Sequence, residues 1–158
     1  MQLEWHNADR AELRPLFELA EDSAEQLAGY VELGRVLVAR RDGTAVGQLQ
    51  LVPTDVAGEI ELKNMAVSPD QQGKGVGRRL VHKASRWAER AGYTTMTVAT
   101  ATADTGNIRF YQRVGFRMCS IDHDAFTPET GYPDPIIIDG IELRDRVWFA
   151  RRLTSEST

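Results

Sequence analysis

With a single cysteine, Cys119, the chain cannot form an internal disulfide. Because Cys119 sits in an apolar run, it is expected as buried core rather than as a nucleophile. No apolar stretch has the length of a secretory signal or a membrane span, so a cytoplasmic protein is expected. Basic excess is missing as well: 19 Lys and Arg stand against 23 Asp and Glu, a net charge of -4, which excludes a general nucleic-acid-binding face. That acidic balance suits a cationic substrate, and equally suits an ordinary soluble protein. No internal repeat, low-complexity tract or second-domain boundary interrupts the 158 residues, so 1–153 read as one domain and 154–158 as a polar tail.

Two phosphate motifs are also missing. Gly73, Gly75 and Gly77 alternate with other residues, but Lys74 lies between glycines and no Gly-Lys-Ser/Thr follows, so this is not a Walker loop. The spacing is not that of a dinucleotide fingerprint either, and no Mg²⁺-binding motif accompanies it. What does surround these glycines is an extended segment ending at Ser68-Pro69 and a helical pattern of Leu80, Val81, Ala84, Trp87, Ala88 and Ala91, closed by Gly92. A strand, a glycine loop and a helix N-terminus form a ready anion site, because bare N–H groups converge where the helix dipole favours negative charge.

The remaining elements follow from periodicity. Gln2–His6 alternates as a first strand, and Asn7 or Asp9 caps a helix carrying Leu13, Leu16, Phe17 and Ala20. Ser23-Ala-Glu-Gln26 has the form of a capping box for a second helix, ended by Gly34. Arg35–Arg41 and Thr44–Val52 form a hairpin around Asp42-Gly43. In Glu59–Val67 the apolar positions are Ile60 and Leu62, then Met65 and Val67. A strand alternates strictly, so this slip from even to odd predicts a β-bulge near Lys63-Asn64, unless the second half is buried on both faces. Tyr93–Ala99 is a strand parallel to Glu59–Val67, reached by a right-handed crossover. Asn107–Val114 is a short helix, Phe116–Ile121 a strand, and Ala125–Gly140 a long irregular loop. Ile141, Leu143, Val147 and Phe149 alternate in a last strand, with Asp145 on its apolar face as a buried ion pair with an arginine. The fold class is α/β with a mixed sheet, in the order β-α-α-β-β-β-α-β-α-β-β.

The segment Gln72-Gly-Lys-Gly-Val-Gly77 matches the Q/R-x-x-G-x-G/A signature of the GNAT N-acetyltransferase superfamily, and Asn64–Pro69 is similar to the strand that precedes it there. Phe110-Tyr-Gln-Arg-Val-Gly-Phe116 resembles that family's second, helix-to-strand signature. The element order is also the family's, and Ile121–Phe126 with Ile141–Asp145 resembles a group of small bacterial members of unassigned substrate.

The resemblance implies an N-acetyltransferase with acetyl-CoA as cosubstrate and no metal. The pyrophosphate would lie on the N–H groups of Gln72, Gly73, Lys74, Gly75, Val76, Gly77 and Arg78, with the pantetheine arm on the strand edge at Met65, Ala66 and Val67. The N–H near Val67 would stabilise the oxyanion. Tyr111 would act as general acid toward the leaving thiolate, against the alternative of a packing tyrosine. Asn107, closer to that tyrosine than the family's helix asparagine usually stands, is open as a CoA contact or a helix cap. Glu61 is the implied base, against a solvated face shared with Glu59 and Lys63; His123 and a water chain are alternatives. The loop between the last two strands, with Glu129, Asp134 and Asp139, would border a cationic amine acceptor. A non-catalytic acyl-CoA sensor of the same fold is the alternative function, and Ile136–Ile138 could lie at a homodimer edge.

Overall fold

The computed structural model describes residues 1–154, so most of the expected polar tail lies outside the described residues. In chain order the elements are β1 (Gln2–Trp5), α1 (Arg14–Ala20), α2 (Ala24–Tyr30), β2 (Arg35–Arg41), β3 (Thr44–Pro53), β4 (Glu59–Val67) and α3 (Val76–Arg90). Then follow β5 (Thr95–Ala101), α4 (Thr105–Arg113), β6 (Arg117–Asp122), β7 (Ile137–Ile138), β8 (Ile141–Glu142) and β9 (Arg146–Arg152). Seven strands form one sheet in the order β1-β2-β3-β4-β5-β9-β6; β7 and β8 pair separately. Within the large sheet only β4 and β5 run parallel.

Side-chain alternation divides the core between the two faces of the sheet. Leu37, Leu49, Leu51, Ile60, Leu62, Met96 and Val98 pack under Leu80, Val81, Ala84 and Ala88 of α3. Val36 and Val38 face the other way, toward Leu13, Phe17, Leu27 and Tyr30 of the α1–α2 layer. The β2–β3 hairpin turns at Asp42 (φ 52°) and Gly43 (φ 80°), the left-handed pair that an Asp-Gly turn supplies.

The expected bulge is present. Gln50 pairs with Asn64 and Leu51 with Leu62, which leaves Lys63 as the extra residue of β4. The slip keeps Met65 and Val67 packed on the α3 core with Ile60 and Leu62, while Asn64 turns to the α1–α2 layer.

Other expectations are corrected. Asp9 caps a 3₁₀ turn at Arg10–Leu13, and α1 starts after it with Pro15 in its first turn; Ala20 is exposed. Ser23 accepts from the Gln26 N–H at 3.1 Å, but the return half of the box is absent: the Ser23 N–H donates to Glu21 Oε2 at 3.2 Å, and the Gln26 side chain turns to Thr130 O. The helix cap ahead of Asn107 is Asp104, which accepts the Asn107 N–H at 3.0 Å, so α4 begins two residues early. Cys119 is exposed rather than buried: it is the extra residue of another bulge, between Met118↔Phe149 and Ser120↔Trp148, on the edge strand β6.

The last strand is shorter than its alternation suggests. Ile141 belongs to the β7–β8 hairpin, whose Asp139-Gly140 turn has φ of 47° and 81°. Asp145 precedes β9 and is no buried ion pair with an arginine. Its carboxylate accepts from the Asp124 N–H and lies 3.6 Å from His123 Nδ1. Of the three isoleucines, Ile136 and Ile138 pack on a small cluster of Ala101, Ala103 and Leu143, and Ile137 is exposed. No described helix is long and apolar enough to cross a membrane.

Candidate active site

The parallel ladder between β4 and β5 stops early. It runs from Glu59↔Thr95 to Leu62↔Val98, after which β4 continues to Val67 beside β3 alone and β5 continues to Ala101 beside β9 alone. Lys63 to Val67 therefore has one edge facing an opening rather than a strand. The bulge sits where the separation starts, because an extra residue bends the strand that carries it. Backbone N–H and C=O groups along such an edge are unspent and can take an extended, amide-bearing ligand as an added strand.

The glycine loop stands at the end of that edge. Gln72 Nε2 donates to Val67 O at 3.1 Å, which ties loop to strand. Gly75 caps α3 with φ 81°, a conformation that costs other residues about 1–2 kcal/mol. The Arg79 N–H closes onto Gly75 O, so the N–H groups of Val76, Gly77 and Arg78 have no acceptor within the helix. Built onto Gly73 or Gly75, a Cβ would meet nothing within 4 Å; the loop is open on that side. Open backbone donors at the N-terminus of a 15-residue helix fit a pyrophosphate.

Gly77 is required for a different reason. A Cβ there would come within 3.2 Å of the Phe110 ring and 3.8 Å of Val67 Cγ2, so β4, α3 and α4 meet at this point. Tyr111, next to Phe110, is buried among Phe110, Phe116 and Phe149 at ring separations of 5.4, 5.7 and 5.9 Å. Burial, and then the charge of Asp104, push its phenol well above the ordinary value, so it stays protonated. Among the described residues its hydroxyl has no hydrogen-bond partner. Asn107 is exposed, and its Nδ2 donates to Thr100 Oγ1 at 3.3 Å on the far wall of the opening.

The opposite face of the sheet holds Glu61, at the last ladder rungs before the strands part. Glu61 is half-buried, and Lys63 Nζ lies 3.7 Å from its carboxylate. Burial pushes its carboxyl up, while Lys63 and Arg146 pull against this shift and Glu59 adds to it. Its neighbours on that face are engaged: Glu59 accepts from the Thr54 hydroxyl at 2.6 Å, and Lys63 Nζ lies 4.9 Å over the Tyr30 ring.

Around Glu61 lies a polar network with no local sequence signature. Gln48 donates to Asn64 Oδ1 at 2.6 Å; Asn64 donates to the Tyr30 hydroxyl at 3.0 Å and to Phe17 O. Tyr30 and Tyr132 then both donate to Glu21. Phe126 and Tyr132 of the loop meet edge to face at 5.0 Å, and the Arg146 guanidinium lies 5.2 Å over Phe126.

Of the residues singled out in the sequence, the glycine loop, Met65–Val67 and Gly77 are brought together at the opening. Tyr111 stands beside their meeting point and Glu61 on the reverse face of the same strand. His123 is not in that group; its side chain is 78% exposed and turned to Asp145. Glu129, Asp134 and Asp139 are all exposed. Missed were Glu21, Tyr30, Tyr132 and Arg146; the only signal for the loop residues was that aromatic side chains stand among its prolines.

Residues 2–116 match the Acetyltransferase (GNAT) family. The uncharacterized N-acetyltransferase YvbK of Bacillus subtilis (strain 168) is 31% identical over 147 residues, 93% of each chain. Among solved structures, the IAA acetyltransferase from Bacillus cereus ATCC 14579 superposes with a TM-score of 0.86 at 33% identity, over 96% of this chain and all of its own. A GNAT family acetyltransferase from Elizabethkingia anophelis, with acetyl-CoA bound, gives 0.88 at 29% identity over 96% and 97% of the two chains. These matches take in the parted strands, the glycine loop and α4 alike, and on them the chain belongs to the acetyltransferase (GNAT) family and is an acetyl-CoA-dependent N-acetyltransferase.

Proposed function

We propose that the chain, working as one domain over residues 1–153 in the cytoplasm, transfers acetyl from acetyl-CoA directly to a primary amine. The carrying observation is the early end of the β4–β5 ladder beside a glycine loop with open backbone donors. In this reading the loop from Gln72 to Arg78 takes the pyrophosphate, Met65–Val67 takes the pantetheine amides, and Asn107 lines the far wall. The relative with acetyl-CoA bound supports the same seat.

Glu61 takes the proton of the incoming ammonium, which its raised pKa suits. The freed nitrogen attacks the thioester carbonyl carbon, and the N–H near Val67 bonds the oxyanion that forms. As the C–S bond breaks, the Tyr111 phenol gives its proton to the departing sulfur. The nitrogen sheds its second proton as the amide forms, which restores the phenol by way of solvent, and the proton held by Glu61 leaves to solvent. His123 ranks behind Glu61 as base because it is solvated on the far side of Asp145.

A protonated, cationic amine suits the carboxylates at the mouth. Asp22, next to Glu21, has its carboxyl raised by partial desolvation and by the charges of Glu21 and Asp104. A homodimer through the exposed Ile137 is compatible with this arrangement. Free thiol release from acetyl-CoA with a panel of amines, together with the melting shift on acetyl-CoA, tests the proposal. Thiol release that requires an amine is expected. Binding of acetyl-CoA without turnover would instead favour the sensor reading.

A further inference from the structure

Arg146 is the half-buried arginine whose donors are not spent. Of the other half-buried arginines, Arg10 gives its guanidinium to three backbone carbonyls, Arg14 to Glu18, Arg40 to Glu4 and Glu12, Arg41 to Gln71, and Arg151 to Ser85 and Val114. Among the described residues Arg146 makes no hydrogen bond and no ion pair, although it is only partly exposed and is held over Phe126. Its cross-strand neighbour Asp122 does not serve it; that carboxylate accepts from Trp148 Nε1 at 2.8 Å. Stacking on an aromatic face fixes the plane of a guanidinium and leaves its fork of N–H groups directed outward, which matches a carboxylate.

Position makes this donor set useful. Val147 and Phe149 belong to the α3 core, so Arg146, one residue off in β9, projects on the sheet face that also carries Glu61. The Arg146 guanidinium lies over Phe126, Phe126 meets Tyr132 edge to face, and Tyr132 donates to Glu21, so contacts run from the arginine to the acids of the α1–α2 corner. This side of the sheet therefore carries Glu61 and Glu21 together with a guanidinium that no protein group uses among the described residues.

We propose that Arg146 receives a carboxylate of the acceptor, so that the acetylated molecule is a zwitterion of the amino-acid type. The inference rests on the reading of Glu61 as the base at the amine end. A dianionic phosphate in place of the carboxylate would bring a second negative charge to a face that already holds Glu21 and Glu61, whereas a zwitterion adds no net charge.

The test uses matched acceptors: amino acids with α-, β- or γ-carboxylates, each beside its amide and its decarboxylated amine, with O-phosphoethanolamine as the phosphate arm. At fixed acetyl-CoA, the carboxylate member of at least one set should have a kcat/KM roughly 10- to 100-fold higher, carried by KM, as a charge-assisted pair provides. Arg146→Gln should lower that member's kcat/KM by the same factor and erase the preference, with Arg146→Lys between the two. The melting shift with acetyl-CoA reports whether each variant is folded. Equal turnover of carboxylates and amides, a preference that survives Arg146→Gln, or a preference for the phosphate overturns the inference and leaves amine acetylation standing. No turnover of any amine, with acetyl-CoA bound, overturns both.

Discussion

The Tyr132 hydroxyl donates a 2.6 Å hydrogen bond to the Glu21 carboxylate, joining residues 111 positions apart. The other oxygen of Glu21 accepts from Tyr30 at 3.1 Å, and the Tyr30 oxygen accepts from Asn64, the residue after the extra Lys63 of β4. One run of hydrogen bonds thus connects the β6–β7 loop, the α1–α2 corner and the bulged strand. Burial and the Glu21 charge hold both phenols above their ordinary range, so they remain donors at neutral pH. The loop proposed to border the acceptor is thereby coupled to the strand that carries Glu61.

Tyr132→Phe keeps the ring against Phe126 and removes only the donor. A hydrogen bond to a charged group contributes about 1.5–3 kcal/mol, so urea unfolding should show a loss of that order. The acceptor KM should rise, while acetyl-CoA affinity should not change. An unaltered unfolding midpoint would mean that Glu21 finds another partner.

Because burial raises the Glu61 pKa, the acid limb of the rate profile should sit above the usual carboxylate range, with kcat/KM rising as Glu61 ionises. The stability consequence has the opposite sense. A carboxyl whose folded pKa exceeds its unfolded value costs nothing below the unfolded pKa, and its cost develops as pH rises through the folded one. Glu61→Gln should therefore be more stable than the parent at pH 7 and equal to it in acid, while turnover falls by about 10²–10⁴-fold. Melting curves at several pH values check the first part, and a less stable variant at pH 7 would contradict it.

Tyr111→Phe leaves three aromatic neighbours in place and removes the proton donor. Turnover should drop roughly 100-fold, with acetyl-CoA affinity within about twofold of the parent. Equal rates would remove Tyr111 from the acid role.

Gly75→Ala places a Cβ on a backbone at φ 81°, at an expected cost of about 1–2 kcal/mol in stability. That Cβ points to the open side of the loop, where the pyrophosphate is proposed to lie. Calorimetric titration should show acetyl-CoA binding weakened at least about tenfold. Undiminished affinity would move the phosphate seat away from this loop.

The parts legible in the sequence were those with a local cause. A parity slip is visible in Ile60, Leu62, Met65 and Val67 because alternation is a property of the strand alone, and it located the bulge at Lys63. Gly73, Gly75 and the helix beyond were legible for the same reason. The β7–β8 hairpin was hidden although Asp139-Gly140 carries the same turn signal as Asp42-Gly43, since two-residue strands leave no alternation to read. Cys119 was misplaced because an edge-strand bulge exposes a residue that composition alone assigns to the core. Glu21 with Tyr132, and Arg146 over Phe126, depend on contacts between distant segments, and no window of sequence contains them.

Transfer from a ternary complex is the central claim. The direct measurement mixes enzyme preloaded with acetyl-CoA with a reactive amine in a rapid-quench apparatus, following free thiol and acetylated amine together. The two products should appear in step, only when the amine is present, and without acetylated protein in the mass spectrum. Thiol released before the amine is added, or an acetyl group found on the protein, would contradict it.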